Sequence, residues 1–261
     1  MIVLKTPGDI SALARAGWVA ADALRQACAL LRPDLRTSDL EDIVTACFAA
    51  HGATPLLPGA GGPPPFPATV SVSINDEAAH GVPGPRRLRA GDLVSIDTAC
   101  RLDGWCADAA WTWAVGETAP DNRRLLEVGQ AALEVAVAGC RRYGCWSEVA
   151  AAVEAFVVRE GCALVEGLAG HGIGRELYED PQVPSAPTAN LRGSDFRLEP
   201  GLVLAIEPTV TNGCGRLRPA RDGGWGLVTA DGRPAVHFEH TVAITTGGPV
   251  ILTTDAGDPA R

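Results

Sequence analysis

The fold is decided by residues 93–113, which read LVSIDTACRLDGWCADAAWTW. Two strands are predicted here, from Leu93 to Cys100 and from Trp105 to Trp113, because both runs are apolar and rich in residues that favour extended backbone. Leu102-Asp103-Gly104 lies between them, and an Asp-Gly pair at such a place is a strong signal for a tight hairpin. The segment therefore predicts a β-hairpin with one acidic side chain inside each arm.

A segment with the same pattern as the start of this hairpin occurs in the second half of the chain. Residues 91–97 read GDLVSID and residues 201–207 read GLVLAIE, so each has a glycine, a short apolar run and then a carboxylate. Such an internal repeat predicts a pseudo-twofold architecture in which strands of two halves meet in the middle. We expect one domain over residues 1–261, with halves at about 8–116 and 121–245.

Each half is expected to begin with two helices. In the first half, Thr6-Pro7-Gly8-Asp9 caps a helix through Leu31, and Ser38 with Glu41 forms a capping box for a second helix to about Ala50. In the second half, Pro120 opens a helix to about Cys140, and Ser147 caps another to about Arg159. Helices followed by strands, twice, predict the α+β class.

Composition places the chain among globular proteins and excludes several functions. The 261 residues are 46% hydrophobic and 20% charged, which suffices for one large domain with a sizeable core. The net charge of -9, with no basic cluster, argues against a nucleic-acid partner. Lys5 is the only lysine, so catalysis by a Schiff-base lysine or a P-loop lysine is excluded.

The eight cysteines are scattered, and no two form a CxxC pair. This spacing predicts buried, reduced thiols rather than a disulfide scaffold or a zinc ribbon. The N-terminal segment lacks the apolar core of a signal peptide, and the charge-free segment 54–75 is interrupted by proline and glycine, so no membrane helix is expected. We therefore expect a soluble, cytoplasmic protein without a membrane partner.

Four carboxylates lie in apolar, strand-like segments, where a charge is costly unless it is paired or bound to a metal. They are Asp97, Asp108, Glu207 and Glu239. Arg101 is the only cation between Arg89 and Arg123, so the hairpin acids lack nearby basic partners in sequence. With His171, whose flanking glycines are expected to let the backbone approach an ion closely, they predict a site for two divalent ions. Oxygen-rich ligation with one imidazole suits Mn, Fe or Co better than a structural zinc site.

Several segments, taken in order and spacing, resemble one known family. They are Ser73-Ile74-Asn75-Asp76 to His80-Gly81-Val82-Pro83, Ile96-Asp97, Asp108, His171-Gly172-Ile173-Gly174-Arg175 with Pro181-Gln182-Val183, Ile206-Glu207-Pro208, and Phe238-Glu239-His240-Thr241. Together they resemble the type I methionine aminopeptidases, and the resemblance covers nearly the whole chain. It implies the pita-bread fold, an α+β fold whose helices pack outside a central antiparallel sheet. It also implies a monomer.

The resemblance further implies a catalytic site with two divalent metal ions (Co, Mn, Fe or Zn). Asp97 would chelate one ion, Asp108 and Glu239 would bridge both, and His171 and Glu207 would bind the other. The substrate would be the free N-terminus of a peptide or nascent protein. His80 would hold the scissile amide, and Glu207 would pass a proton to the leaving amine. The N-terminal side chain would lie among Phe66, Ser71, Leu177 and Trp225.

Two features depart from the family pattern. The family has a second substrate-facing histidine seven residues after the metal-binding one, where this chain has Tyr178. A phenol can donate a hydrogen bond to substrate but cannot become cationic, so Tyr178 is expected to bind substrate and to be a weaker catalytic donor. The proline- and glycine-rich loop Pro58–Pro67 is expected to rebuild one wall of the pocket.

Three functions therefore remain open from the sequence. The first is a dinuclear metalloaminopeptidase that releases N-terminal methionine. The second is a specialised aminopeptidase of the same fold that trims another residue or a particular peptide. The third is a catalytically silent binding protein, although silent relatives generally lose metal ligands and all five are present here.

Overall fold

The computed structural model describes residues 1–188, 191, 194–220 and 224–254. Its helices with fully described bounds are α1 (Pro7–Leu30), α2 (Thr37–His51), α3 (Pro120–Arg142) and α4 (Trp146–Arg159). The strands of the first half are β1 (Thr54–Pro55), β2 (Ser71–Ile74), β3 (Glu77–Ala79), β4 (Leu93–Leu102) and β5 (Trp105–Ala114). The second half has β6 (Ala163–Leu164), β7 (Gly170–Gly172), β8 (Glu179–Val183), β9 (Val203–Ile206), β10 (Thr209–Thr211), β11 (Leu217–Pro219), β12 (Leu227–Thr229), β13 (Ala235–His237), β14 (His240–Thr245) and β15 (Gly248–Ile251).

Helix α1 begins as its sequence predicts. The Asp9 backbone N–H donates to the Thr6 hydroxyl at 3.3 Å, and the Thr6 N–H donates to the Asp9 carboxylate at 2.9 Å, which forms a capping box. The buried face is rich in alanine, so the helix approaches the hairpin closely. Gly17 allows a second close approach, to the segment that follows β15, because a Cβ there would come within 2.3 Å of the Leu252 carbonyl oxygen.

Two helices begin two residues earlier than the sequence signals suggest. In α2, the Asp39 carboxylate accepts the Arg36 N–H at 3.0 Å, which moves the helix start to Thr37. Glu41 does not close a capping box, because its carboxylate accepts the Thr69 N–H at 3.0 Å. In α4, Glu148 accepts the Cys145 N–H at 3.1 Å, so the capping position is Cys145 and not Ser147.

The predicted hairpin is confirmed and is longer than expected. Strands β4 and β5 pair from Leu93↔Ala114 to Leu102↔Trp105, and the turn contains Asp103 and Gly104 at φ 50° and φ 77°. Positive φ at both central residues is typical of a type I′ turn, which matches the twist of the strands. On its other edge β4 pairs with β1 and β2, so the hairpin forms the middle of an antiparallel sheet.

The second half has its own antiparallel sheet in the order β15-β14-β9-β7-β8. Two smaller antiparallel groups, β13-β10-β6 and β11-β12-β3, lie beside it. The Glu239 N–H donates to the Ala110 carbonyl at 2.8 Å, and this bridge joins the second-half sheet to β5. The predicted antiparallel layer is therefore present, as hydrogen-bonded groups joined across the middle.

Each half packs its helices on its own strands. One core cluster joins α1 and α2 to β2, β4 and β5, and another joins α3 and α4 to strands of the second half. Trp111 contacts both clusters, so it lies where the halves meet. The division at about 8–116 and 121–245 agrees with this packing and stays a prediction.

The thiols and the helices bear on two further expectations. All eight cysteines are free thiols, as predicted. Only four of them are buried, since Cys28, Cys145 and Cys162 are partly exposed and Cys214 is exposed.

Within the described ranges, no helix has the length and apolar character that a bilayer crossing requires.

Candidate active site

One cavity brings together most of the residues singled out in the sequence. Its volume is about 360 Å³. All five predicted metal ligands line it, and so do His80, Phe66, Ser71, Tyr178 and Trp225. Leu177, expected as a pocket wall, is not among the lining residues. It is buried in the core cluster that contains Phe66, behind the cavity surface.

The two hairpin acids are diagonal neighbours rather than directly opposite. Asp97 pairs with Ala110, and Asp108 pairs with Ala99, so the acids are two residues out of register. This offset keeps both side chains on the same face of the hairpin, because side chains alternate along a strand. The hairpin thus presents two carboxylates to the cavity.

The backbone around Asp108 and Glu239 is held rigidly by neighbours. The Thr241 hydroxyl donates to the Asp108 carbonyl at 2.8 Å and accepts the Asp108 N–H at 3.1 Å. The Glu239 backbone is bound to Ala110 through the bridge between the halves. Both carboxylates are buried, with Asp108 6% and Glu239 2% exposed. The second half therefore sets the position of an acid that belongs to the first.

Two carboxylate oxygens in this group have no hydrogen-bond partner among the described residues. They are Oδ1 of Asp108 and Oε1 of Glu239, and both are buried. A buried carboxylate oxygen without a partner is costly unless a cation is close. One ligand atom from each of Asp108, His171 and Glu239 lies within 4.8 Å of the others. These orphaned oxygens and this donor set fit a divalent metal ion.

His171 is oriented towards the acids by its own strand. Its Nδ1 lies 3.0 Å from the Gly172 carbonyl oxygen. A carbonyl only accepts, so Nδ1 carries a proton, and Nε2 is the ring atom that faces the carboxylates and would bind a metal ion once its own proton has left. That Nε2 is 3.5 Å from Oδ2 of Asp108 and 3.9 Å from Oε1 of Glu207.

The glycines beside His171 have a different role from the one that the sequence suggested. A Cβ at Gly170 would come within 2.2 Å of the Ala205 carbonyl oxygen, and one at Gly172 within 2.1 Å of the Asp180 carbonyl oxygen. They are needed for β7 to pack between β8 and β9, and not for the backbone to approach an ion. Close strand packing then aims His171 into the cavity.

The crowding of charged groups in the cavity shifts their pKa values. Burial and the neighbouring Asp108 raise the pKa of Asp97 to about 8. Burial and Asp108 also raise the pKa of Glu239 well above its usual range. Burial by itself would lower the pKa of His171, but Asp108 and Glu207 raise it to about 9. The protein without metal thus holds protons at positions where a cation would be favoured.

His237 is a site residue that the sequence analysis did not select. Its Nε2 is buried, 3.5 Å from Oε2 of Glu207 and 4.0 Å from Oε2 of Glu239. Burial disfavours its cationic form, but Glu207 and the other nearby carboxylates raise its pKa. The signal available in the sequence was its spacing of two from Glu239, which puts both on one face of an extended segment.

His80 lies at the rim of the cavity in a strained backbone conformation. Its φ is 58°, in the left-handed region that non-glycine residues rarely adopt. The next residue clamps this turn to β2, since the Gly81 carbonyl accepts the Val72 N–H at 2.8 Å and the Gly81 N–H donates to the Ser73 hydroxyl at 3.1 Å. Burial and the nearby His237 lower the pKa of His80, so its imidazole is neutral at pH 7.

Aromatic rings enclose the rest of the cavity. Trp225 lies edge-on to Phe66, with ring centroids 5.6 Å apart, and also edge-on to His80 at 6.2 Å. Tyr178 lies edge-on to His171 at 4.7 Å. Partial burial and the surrounding carboxylates raise the pKa of Tyr178, so its phenol keeps its proton. The position of Gly61 supports the predicted loop wall, because a Cβ there would come within 2.2 Å of the Trp225 ring.

Comparison with known proteins places this site in a family. The family model "Metallopeptidase family M24" matches residues 11–246. The chain is 37% identical over 253 residues to methionine aminopeptidase 1 of Bacillus subtilis, which covers 97% of this chain and 99% of that protein. The crystal structure of methionine aminopeptidase from Thermotoga maritima has 36% identity and a TM-score of 0.90, and the match covers 97% of this chain and 100% of that one.

A more distant neighbour shares the fold alone. Prolidase from Pyrococcus furiosus has a TM-score of 0.74 at 21% identity, and the match covers 97% of this chain and 65% of the prolidase. These likenesses confirm the α+β pita-bread fold that the sequence resemblance implied. The chain therefore belongs to metallopeptidase family M24 and, within it, to the methionine aminopeptidases.

Proposed function

We propose that this metallopeptidase removes the N-terminal methionine from peptides or nascent proteins by hydrolysis of the first peptide bond. The observation that carries the proposal is the single cavity that contains five metal-ligand side chains beside His80. Two buried carboxylate oxygens in this cavity have no hydrogen-bond partner among the described residues, so a bound cation would stabilise them. The scissile bond of a substrate would lie beside that cation. The relatives named methionine aminopeptidases match almost the full length of the chain.

The site is proposed to hold two divalent ions, of Co, Mn, Fe or Zn. Asp97 would bind one ion, His171 and Glu207 the other, and Asp108 and Glu239 both. The central position of Asp108 supports its bridging role, because it is a strand neighbour of Asp97 and also 3.5 Å from the imidazole of His171. When bound, the ions would supply a hydroxide near neutral pH and polarise the scissile carbonyl.

The chain's own residues would position the substrate and move its protons. His80 is neutral at pH 7 and faces the cavity, so it is suited to hydrogen-bond the scissile amide. Glu207 would pass a proton to the leaving amine. His237 contacts Glu207 from behind and would hold that carboxylate in place. Tyr178 would donate a hydrogen bond to the substrate carbonyl from beside His171.

The pocket for the N-terminal side chain is proposed to lie between Phe66, Ser71 and Trp225. Burial of an apolar side chain between two rings favours methionine, whose unbranched thioether makes good contacts with aromatic rings. Leu177 would act indirectly, by supporting Phe66 from the core.

Two observations favour the specialised peptidase as the second candidate: the phenol at Tyr178 and the loop wall that packs Gly61 against Trp225. A monomer and a cytoplasmic location are also expected.

The experiment that separates the candidates is a substrate panel with controlled metal content. Protein freed of metal by chelation is loaded in turn with Co, Mn, Fe or Zn, and hydrolysis of Met-Ala-Ser is compared with that of Xaa-Ala-Ser peptides. Asp108→Asn is the matched control, because it keeps the shape of the side chain and removes its charge. We expect metal-dependent release of methionine that is lost in the control.

Each other outcome identifies a different function. Faster release of another residue than of methionine would favour the specialised peptidase. Metal bound in full with no hydrolysis of any peptide in the panel would favour a silent binding protein. Equal activity in Asp108→Asn would contradict the proposed metal centre.

A further inference from the structure

A second group of metal-ligating side chains lies away from the active-site cavity, between the first two helices. Asp22 is on α1, and Cys47 and His51 are on α2, four residues apart and therefore on the same face of that helix. One ligand atom from each of the three lies within 4.8 Å of the others. We propose that Asp22, Cys47 and His51 form a zinc-binding site that is separate from the active centre.

The distances in this group match a tetrahedral site. Oδ2 of Asp22 is 3.3 Å from Nε2 of His51 and 3.4 Å from Sγ of Cys47. Zinc bonds of about 2.0–2.2 Å to oxygen and nitrogen and about 2.3 Å to sulfur place the ligand atoms of a tetrahedron about 3.3–3.7 Å apart. The contact between Asp22 and His51 is also longer than the usual range of about 2.7–3.2 Å for a hydrogen bond of this kind. Both contacts of Oδ2 therefore have the length expected between ligands of one zinc ion, and the three ligand atoms lie within 4.8 Å of one another.

The neighbours of Asp22 direct one of its oxygens to that point. The Arg25 guanidinium binds Oδ1, and the Gln26 amide donates to Oδ2 at 2.7 Å. The same amide lies 3.3 Å from the Cys47 sulfur, where it would donate to a thiolate. Such outer contacts hold the ligands of metal sites in position. They leave Oδ2 facing Cys47 and His51.

The position in the fold also suits a cation. His51 is the last residue of α2, and the C-terminal end of a helix carries partial negative charge. The Cys47 thiol donates to Oδ2 of Asp22 at 3.4 Å, so a zinc ion would take the place of this proton between the two ligands.

The ligand chemistry points to zinc, and access to the site supports it. A thiolate with an imidazole and a carboxylate favours zinc over magnesium or manganese. The His51 side chain is 31% exposed, which leaves a path for the ion and room for water as the fourth ligand. The site would tie α2 to α1, and α1 packs against β5, the strand of Asp108. It would therefore act as a structural clamp on the first half.

The test uses cobalt as a spectroscopic probe for zinc. The ligands proposed for the active centre are all oxygen and nitrogen, so a sulfur-to-cobalt charge-transfer band can arise only from a cysteine. Reduced, metal-free protein is titrated with Co(II), and the band is followed in the wild type, Cys47→Ser and His51→Gln. Cys162→Ser is the matched control, because it removes a thiol that is far from Asp22 in the fold.

We expect the band in the wild type and in Cys162→Ser, its loss in Cys47→Ser, and its displacement by added zinc. His51→Gln should weaken Co(II) binding at this site by more than about tenfold, because it removes a ligand and loss of an outer contact alone costs about 10–100-fold. His51 is partly exposed, so this variant should fold even if Cys47→Ser does not. No band in the wild type, or an equal band in Cys47→Ser, would overturn the proposal. Aminopeptidase activity does not enter either result.

Discussion

Tyr178 packs edge-on against the imidazole of His171, with ring centroids 4.7 Å apart and planes at 74°. His171 is a proposed metal ligand, so this contact places the phenol beside the reacting bond. The two rings belong to one segment, His171 in β7 and Tyr178 just before β8, and the pairing of these strands brings them together. Both rings line the cavity, so the phenol forms part of the wall beside the proposed metal centre.

The first prediction concerns the effect of Tyr178 on the turnover rate. Tyr178→His should raise turnover of methionyl peptides by about tenfold if it recovers about 1.4 kcal/mol of transition-state stabilisation, because a histidine can become cationic as the oxyanion develops. Tyr178→Phe removes only the hydroxyl, so it should lower turnover if the phenol donates to substrate. Steady-state kcat and KM on the best substrate measure both effects.

These two variants also separate the candidate functions. If Tyr178→Phe has wild-type kinetics, Tyr178 is a pocket wall and not a donor. A fall in turnover with Tyr178→His on that substrate would instead indicate that the tyrosine is an adaptation to a substrate other than a simple methionyl peptide.

The second prediction is loss of both ions when a bridging carboxylate is removed. Asp108→Ala or Glu239→Ala should abolish hydrolysis and should reduce bound metal by both equivalents, because each of these side chains is proposed to bind the two ions at once. Metal content after gel filtration, with peptide hydrolysis in parallel, provides the measurement. Ser71→Ala is a suitable control, since it alters the cavity wall without removing a charge. Retention of one full equivalent and of activity would contradict the bridging assignment.

The third prediction links metal removal to pH. Asp97 has a pKa of about 8 in the folded protein without metal, above the value of about 3.9 for an unfolded chain. The folded state therefore binds more protons than the unfolded state between these values, so the metal-free protein should lose stability as pH rises from about 4 to 8. Each kcal/mol lost should lower Tm by about 2–4 °C.

Scanning calorimetry with and without chelator between pH 5 and pH 8.5 checks this dependence. Metal-loaded protein should keep its Tm at the upper end of this pH range, because the positive charges of the ions offset the negative charges of the carboxylates. A Tm of chelated protein that is constant or rises over this range would show that the acids are not crowded as the structure has them.

The fourth prediction concerns the buried ion pair between Lys5 and Glu179. Their charged atoms are 2.6 Å apart, and the side chains are 4% and 17% exposed. Lys5→Met would leave Glu179 without its cation, which should destabilise the protein by about 3 kcal/mol, the low end of the range for buried pairs because Glu179 keeps two backbone N–H donors. Urea denaturation at pH 7 measures the change.

The stability that the Lys5–Glu179 ion pair contributes depends on pH in the opposite direction to the effect of Asp97. Burial raises the pKa of Glu179, but Lys5 and the backbone N–H groups outweigh this and lower it. The pair therefore contributes stability above the unfolded pKa of about 4.3, and the contribution disappears as pH falls through the lower folded pKa. The double variant Lys5→Met, Glu179→Gln should regain part of the loss. A double variant that is less stable than Lys5→Met would contradict this assignment.

Local signals in the sequence were sufficient for the elements that carry the site. The Asp103-Gly104 turn predicts the hairpin, and isolated carboxylates in apolar segments select four of the five proposed ligand positions, the fifth being His171. Exact helix starts escaped prediction, because Asp39 and Glu148 compete with the nearby hydroxyls as capping partners. The diagonal offset of Asp97 and Asp108 depends on a two-residue loop that composition does not specify.

Features that arise from tertiary packing could not be found in this way. Leu177 packs into a core cluster that contains Phe66, Ile173 and Val203, which are far from one another in the sequence. His237 meets Glu207 only after β10 and β13 pair. Asp22 and Cys47 are 25 positions apart on two helices, so no ligand spacing in the sequence joins them. Their proximity depends on how α1 packs on α2.

The burial of Lys5 has a consequence for chemical modification. The only ε-amine of the chain is enclosed against Glu179, so a reagent that acylates lysine would reach it only when the segment around Lys5 opens. The rate at which Lys5 is acylated would therefore report the opening of that segment, at one position and without any engineered residue.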